Sequence, residues 1–370
     1  MAGIRLVLPL AALLMMVTML VSAYTTLQAD NIDGAAAVDG LPFPEPGVVV
    51  VTPKEALALA GRLEAGAAEG PWLVAVVNDG GGSMAEAVAA LARAAGLLLP
   101  LGRPAGPEGG APLHPALAGA RLVLLDLHGR GLVVVEGLPP VRGLERALSL
   151  VGPAGYTVSG GFRWIGYIGW VKASAGGVNY GGDMMVRVDY YYAPSDSPAS
   201  LGFWLAVTRQ IAVGDCAGLD TPPEWMTAET DWMTRYWPAQ VLVDWGPGNT
   251  PPARTISYTV SLGPGGPSAS ISYSAPLDSY MSATDYSRPA DGRVVIRHEL
   301  HRARCGVAYK AEPASIAMLD PHRLRYDSSR TAMLVCHTFQ AEFDRDAAPP
   351  AETWFCAELT PKSADYFVGS

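Results

Sequence analysis

Arg254-Thr255-Ile256-Ser257-Tyr258-Thr259-Val260-Ser261-Leu262 decides how the larger part of this chain is read. Ile256, Tyr258, Val260 and Leu262 alternate with Thr255, Ser257, Thr259 and Ser261. A period of two marks a half-buried β-strand, because successive side chains leave opposite faces of the backbone. After Gly263-Pro264-Gly265-Gly266-Pro267 the alternation resumes at Ala269, Ile271, Tyr273 and Ala275, so the two runs are expected to form a hairpin.

Outward from this pair, strand-like runs continue on both sides. Phe162–Ser174, Met184–Tyr192, Leu201–Val213 and Ala239–Trp245 precede it; Arg293–Leu300, Thr331–Phe343 and Thr353–Glu358 follow. Many strands without long intervening helices predict an antiparallel β-sandwich over residues 151–370. One interruption is expected. Thr221-Pro222-Pro223-Glu224 has the form of a capping box, and Trp225, Met226, Trp232, Met233, Tyr236 and Trp237 recur behind it at helical spacing until Pro238. This predicts a short amphipathic helix from about Pro223 to Trp237. Its aromatic stripe either covers the open end of the sandwich or forms a candidate binding surface for glycan, lipid or protein.

All four cysteines fall in this part: Cys216, Cys305, Cys336 and Cys356. None forms the tight C-x-x-C pair that metal sites use, so disulfides are the expectation. Cys336 and Cys356 are equidistant from Asp346 in a polar, proline-bearing stretch, which places them opposite each other on a hairpin. Cys216 is then left to pair with Cys305.

Residues 48–150 differ in character. Between residues 25 and 150 the only aromatics are Phe43 and Trp72. Val48–Val51 is a β-branched run; Thr52-Pro53-Lys54-Glu55 is a capping box with proline at the first helical position. Trp72–Val77 reads as a strand, and Ser83-Met84-Ala85-Glu86 opens a second helix. Leu122–Leu127 and Leu132–Glu136 flank a His128-Gly129-Arg130-Gly131 turn, and Gly143–Val151 is a last helix. The order β-α-β-α-β-β-α resembles the core of the thioredoxin-like fold in topology alone. The redox cysteine pair of that fold's active members is absent, and no residue role is carried over.

The fold class expected overall is α+β multidomain. Residues 1–24 form a signal peptide or transmembrane anchor, 25–47 a linker, 48–150 a small α/β layer domain, and 151–370 the disulfide-containing sandwich. Arg5 is followed by an uncharged run, Leu6–Tyr24, with Val21-Ser22-Ala23 fitting a cleavage site. If uncleaved, residues 6–24 are long enough to engage a membrane and leave the bulk of the chain outside.

The chemical motifs in the sequence are incomplete. Gly80-Gly81-Gly82-Ser83-Met84-Ala85 satisfies G-x-G-x-x-A, but the acidic residue about twenty positions on is replaced by Leu101-Gly102-Arg103-Pro104. His298-Glu299-Leu300-His301 is one residue short of a zinc motif and lies in a strand-like run, where the two histidines point apart. No G-x-S-x-G elbow is present. Glu224, Glu229, Asp231 and Asp244 are the carboxylates from which a glycosidase pair could be drawn. A net charge of -9 argues against nucleic acid.

These readings predict an extracytoplasmic surface protein with a non-catalytic binding or assembly role, no cofactor and no metal, and a glycan or surface protein as partner. The alternatives are an extracytoplasmic glycosidase or peptidase and a subunit of a surface filament or lattice. A deep cleft lined by two carboxylates of raised pKa favours the enzyme; a flat, apolar exposed face or an unpaired edge strand favours assembly.

Overall fold

A computed structural model describes residues 48–65, 73–104, 111–152, 156–174, 181–194, 202–216, 220–233, 240–319, 333–343 and 349–359. The expected signal or anchor segment and the linker lie outside them. No helix among the described residues is long and apolar enough to cross a membrane.

The first half runs β1 (Val48–Val51), α1 (Pro53–Glu64), β2 (Leu73–Val77), α2 (Met84–Ala94), a single turn α3 (Ala116–Gly119), β3 (Leu122–Asp126), β4 (Gly131–Glu136) and α4 (Pro140–Leu148). Both capping residues act where the sequence puts them. Thr52 and Glu55 satisfy each other's backbone N–H groups, and Ser83 accepts from Glu86 N–H. Helices α1 and α2 cover one face of β2 and β3 with Ala56, Ala60, Val88 and Leu91; α4 covers the other with Leu144, Ala147 and Leu148. Strands covered on both faces have no polar side to show, which is why Leu122–Leu125 and Leu132–Val135 are unbroken apolar runs.

The second half is nearly all strand: β5 (Thr157–Ser159), β6 (Arg163–Ala173), β7 (Gly182–Ala193), β8 (Phe203–Gly214), β9 (Pro223–Asp231), β10 (Gln240–Gly246), β11 (Thr250–Ala253), β12 (Thr255–Ser261), β13 (Ser268–Ser274), β14 (Tyr280–Asp285), β15 (Arg293–His301), β16 (Ala308–Ala311), β17 (Ala314–Leu319), β18 (Met333–Phe343) and β19 (Ala351–Leu359). A ten-stranded sheet has the order β1-β2-β3-β4-β6-β7-β8-β17-β10, with β16 also on β8. A six-stranded sheet, β11-β14-β15-β9-β18-β19, packs its inner face on β6–β8 of the first. Trp170 and Phe355 stack across the gap with ring centroids 5.8 Å apart. The hairpin β12–β13, joined by β5, is a third sheet that turns Ile256, Val260 and Ile271 into the same core.

The change of composition at residue 151 is not a break in the sheet. Strand β4 pairs in parallel with β6, from Gly131↔Tyr167 to Glu136↔Lys172, so one ladder runs through both halves. A second tie joins Leu101 and Cys356 by reciprocal backbone hydrogen bonds.

The helix expected from Pro223 to Trp237 is a strand over Pro223–Asp231, paired with β15 and β18 on its two sides. The Thr221 hydroxyl does not cap; it donates to the carbonyls of Gly181 and Asp215. Two complete ladders outweigh a local helical signal, and β-branched Thr227 and Thr230 suit the pleat. The supposed stripe is therefore divided. Met226 faces the core, Trp225 faces the outside of the sheet, and Trp232 and Met233 follow the strand's end. Tyr236 and Trp237 lie outside the described residues.

Both disulfides are present. Cys336–Cys356 joins directly opposed residues of β18 and β19, and Cys216–Cys305 ties the end of β8 to the segment after β15.

Candidate functional site

The site begins with a turn. Asp126 ends β3 and accepts the Gly129 N–H at 2.6 Å, closing the connection to β4. At Gly131 any Cβ would overlap the ring of Tyr167 on the neighbouring strand, so glycine is what lets that ring lie against the turn. The Tyr167 hydroxyl then donates to the second Asp126 oxygen at 3.1 Å.

Strand β6 carries a bulge between Trp164 and Gly166, whose φ of 145° is closed to most side chains. In a regular strand, residues three apart leave opposite faces. The extra residue puts Trp164 and Tyr167 on one face, stacked with centroids 6.4 Å apart. On β7, Arg187, Asp189 and Tyr191 share that side by ordinary alternation.

Arg187 is the centre of the arrangement. Its Nε reaches both oxygens of Asp189 at 3.1 and 3.0 Å, and Nη2 reaches Oδ1 at 2.7 Å. Nη1 donates to the carbonyls of Leu150 and Gly152, each at 2.6 Å. The guanidinium lies 3.9 Å over the Tyr167 ring. The Trp164 indole N–H completes the Asp189 shell at 3.2 Å. A buried ion pair is sustained only when its remaining donors and acceptors are met, and here they are.

Asp126, Gly129, Gly152, Trp164, Tyr167, Arg187, Asp189 and Tyr191 line a cavity of about 270 Å³. It lies on the seam: the first two residues come from the α/β half, Gly152 from the joint, the rest from the β half. Burial raises the Asp126 carboxyl above its usual range, although the Gly129 N–H, the Tyr167 hydroxyl and Arg187 pull it down. Burial, with help from Asp189, pushes Tyr191 up to about 12. The cavity therefore presents aromatic plates and one carboxylate acceptor, Asp126, because Asp189 is taken up by Arg187 and Trp164. Arg187 is committed to Asp189 and two carbonyls, which leaves little for an anion.

The residues singled out in the sequence gather elsewhere. Trp232 is fully buried and its indole donates to Ser315 at 2.9 Å. Trp225 donates to the Glu342 carboxylate and lies under Arg297, whose guanidinium is 4.4 Å from the ring. Met233 packs on the Cys336–Cys356 disulfide. A second, polar cavity beside that disulfide is lined by Arg103, Glu229, Asp231, Arg293 and Thr338. There Arg293 closes on Glu229 at 2.6 Å, and Asp231 accepts the Met233 N–H. Asp244 accepts from the backbone of Trp245 and Ser261. His298 is buried and His301 faces out to Ser282, so the two point apart. Gly80–Gly82 form a turn in which Asp79 holds the Gly81 N–H. Cys216, Asp220 and Cys305 lie close together, but the two sulfurs are bonded to each other and offer no thiolate to a metal.

Sequence reasoning passed over the seam residues. The available signal was Arg187-x-Asp189, two opposite charges on one face of the otherwise apolar run Met184–Tyr192.

No family model matches the chain, and no curated protein matches it. Among solved structures it is similar to a "Pore forming protein" at 8% identity, covering 54% of this chain and 96% of that one with a TM-score of 0.33. It is also similar to Clostridium perfringens delta-toxin at 10% identity, covering 51% and 94% with a TM-score of 0.35. Fold and site together define a β-rich, twice disulfide-bonded protein with an aromatic-walled cavity at a seam in its main sheet.

Proposed function

We propose that the chain is exported and serves as a non-catalytic binding protein, with the seam cavity as its ligand site and a neutral, hydroxyl-rich molecule such as a glycan as its ligand. The observation that carries this is the pairing of the Trp164 and Tyr167 ring faces with the rigidly held Asp126 carboxylate. Aromatic plates accept the apolar face of a sugar ring, while fixed acceptors take its hydroxyls. Catalysis is disfavoured by the same geometry. Asp189 is closed by Arg187 and Trp164, which leaves Asp126 without a second free carboxylate for glycoside hydrolysis. Two disulfides support an oxidising compartment. The partner reading remains glycan or surface protein rather than nucleic acid, and residues 6–24 remain the proposed membrane contact.

Glycan-array screening of the oxidised protein tests the reading. Trp164 is only partly buried and Arg187 still bonds both Asp189 oxygens without it, so Trp164→Ala is expected to leave the fold intact and to weaken a hit by roughly tenfold or more, about 1.4 kcal/mol. A hit that Trp164→Ala does not weaken places the ligand elsewhere.

A further inference from the structure

We propose that the β12–β13 hairpin inserts into lipid bilayers, several copies of the chain each contributing one hairpin to a closed transmembrane barrel. Three independent features lead there.

The first is chemical. Between residues 255 and 277 there is no charged side chain. One face of the hairpin is apolar, with Ile256, Val260, Ile271 and Tyr273 buried. The other is wholly hydroxyl, paired across the ladder: Thr255 with Ser274 at 2.9 Å, Ser257 with Ser272 at 2.8 Å, Thr259 with Ser270 at 3.1 Å. An ordinary solvent face carries charge, as the outer face of the six-stranded sheet does with Arg293, Arg297 and Glu299. A barrel strand instead alternates a lipid-facing apolar residue with a lumen-facing polar one, and charge on the lipid side is penalised. The arms, 254–262 and 268–276, match the roughly 9–11 residues that a tilted strand needs to span.

The second is topological. The hairpin continues the β11–β14 pair, in which Thr250 opposes Ala283 and Ala253 opposes Met281. Together they are one long ribbon, folded over at Arg254 and at 275–279. Little backbone pairing holds the distal part down. Strand β13 pairs with β5 over three residues only, and β12 is the free edge of its sheet. Swinging the ribbon straight uncovers its apolar face and breaks the contacts of Tyr258 with the Glu312 carbonyl and of Tyr273 with His298. Lipid takes over the apolar burial.

The third lies at the bend. Leu277 is 72% exposed and Tyr280 40% exposed, beside the charges of Arg254 and Asp278. Apolar and tyrosine side chains at the foot of an uncharged span, with charges just beyond, are the layout of a membrane interface. One hairpin alone leaves unpaired backbone at its edges, which hydrocarbon does not tolerate, so insertion requires a closed ring of copies.

The test uses the full oxidised chain and vesicles of phosphatidylcholine and phosphatidylglycerol loaded with a self-quenching dye. Release is expected from the unaltered protein. Ser159 and Ser268 are directly opposed, with their hydroxyls 3.0 Å apart, so Ser159→Cys with Ser268→Cys forms a bridge that pins the hairpin to β5. The doubly substituted protein is expected to release nothing, while each single variant releases dye as the unaltered chain does. A probe at Val260→Cys is expected to be quenched by lipid-borne nitroxide, and one at Thr259→Cys to be spared. Vesicles left intact by the unaltered chain, leakage undiminished by the bridge, or equal quenching at 259 and 260 each overturn the proposal.

Discussion

At the scale of single residues, two buried histidines are expected to weaken the fold in acid. His298 and His337 are fully buried, and burial holds both down to about 3. Each is neutral when folded and takes a proton near pH 6.5 when unfolded. The unfolded chain therefore binds more protons across that window. Stability from these residues is complete above about pH 6.5 and lost as pH falls from there toward 3, at up to about 1.4 kcal/mol per unit for each. Phe339 and Phe355 flank the His337 ring, and its Nδ1 is paired with the Thr230 hydroxyl at 3.1 Å, so phenylalanine keeps the ring contacts and gives up that one hydrogen bond. His337→Phe is expected to flatten the fall in melting temperature between pH 7 and pH 4; an unchanged acid slope refutes this assignment. Gly131 gives a second prediction. A Cβ there collides with Tyr167, so Gly131→Ala is expected to cost about 1–3 kcal/mol in denaturant titrations and to abolish ligand binding. Neither role is visible in the sequence, because each is set by a neighbour distant along the chain.

At the scale of elements, the sequence is legible where the signal is local. Capping boxes at Thr52 and Ser83 fix the starts of α1 and α2, and strict alternation fixes β12 and β13. The symmetry about Asp346 is enough to pair Cys336 with Cys356 on a hairpin. It misleads at Pro223–Asp231, where tryptophan–methionine pairs seven residues apart fit a helix, but the segment is the partner of two strands from distant parts of the chain. The seam site fails to show for a related reason: the bulge that turns Trp164 beside Tyr167 has no sequence pattern of its own. The disulfides differ in what they do. Cys216–Cys305 spans 89 residues and Cys336–Cys356 spans 20, so the former removes more freedom from the unfolded chain. Replacing Cys216 and Cys305 with alanine is expected to destabilise by about 1 kcal/mol more than replacing Cys336 and Cys356. Equal losses in urea melts speak against a chain-entropy origin.

For the whole molecule, the β4–β6 ladder matters most. The composition divides the chain at residue 151, yet the sheet continues through it, and the cavity draws on both sides. Fragment 151–370 leaves β6 as an open edge and uncovers Ile168 and Val171, which are fully buried in the intact chain. This fragment, expressed under oxidising conditions, is expected to melt without a sharp transition, while the chain from residue 48 is expected to melt as one unit. A fragment as cooperative as the whole chain shows that the halves fold independently despite the shared sheet.

The seam cavity as the ligand site is the claim on which the functional reading stands. A crystal structure of the oxidised protein soaked with the strongest glycan from the array tests it most directly. The expected result is a sugar ring against Trp164 with hydroxyls on the Asp126 carboxylate and the Arg187–Asp189 pair undisturbed. A glycan bound on the outer face of the six-stranded sheet, with the seam cavity empty, contradicts it.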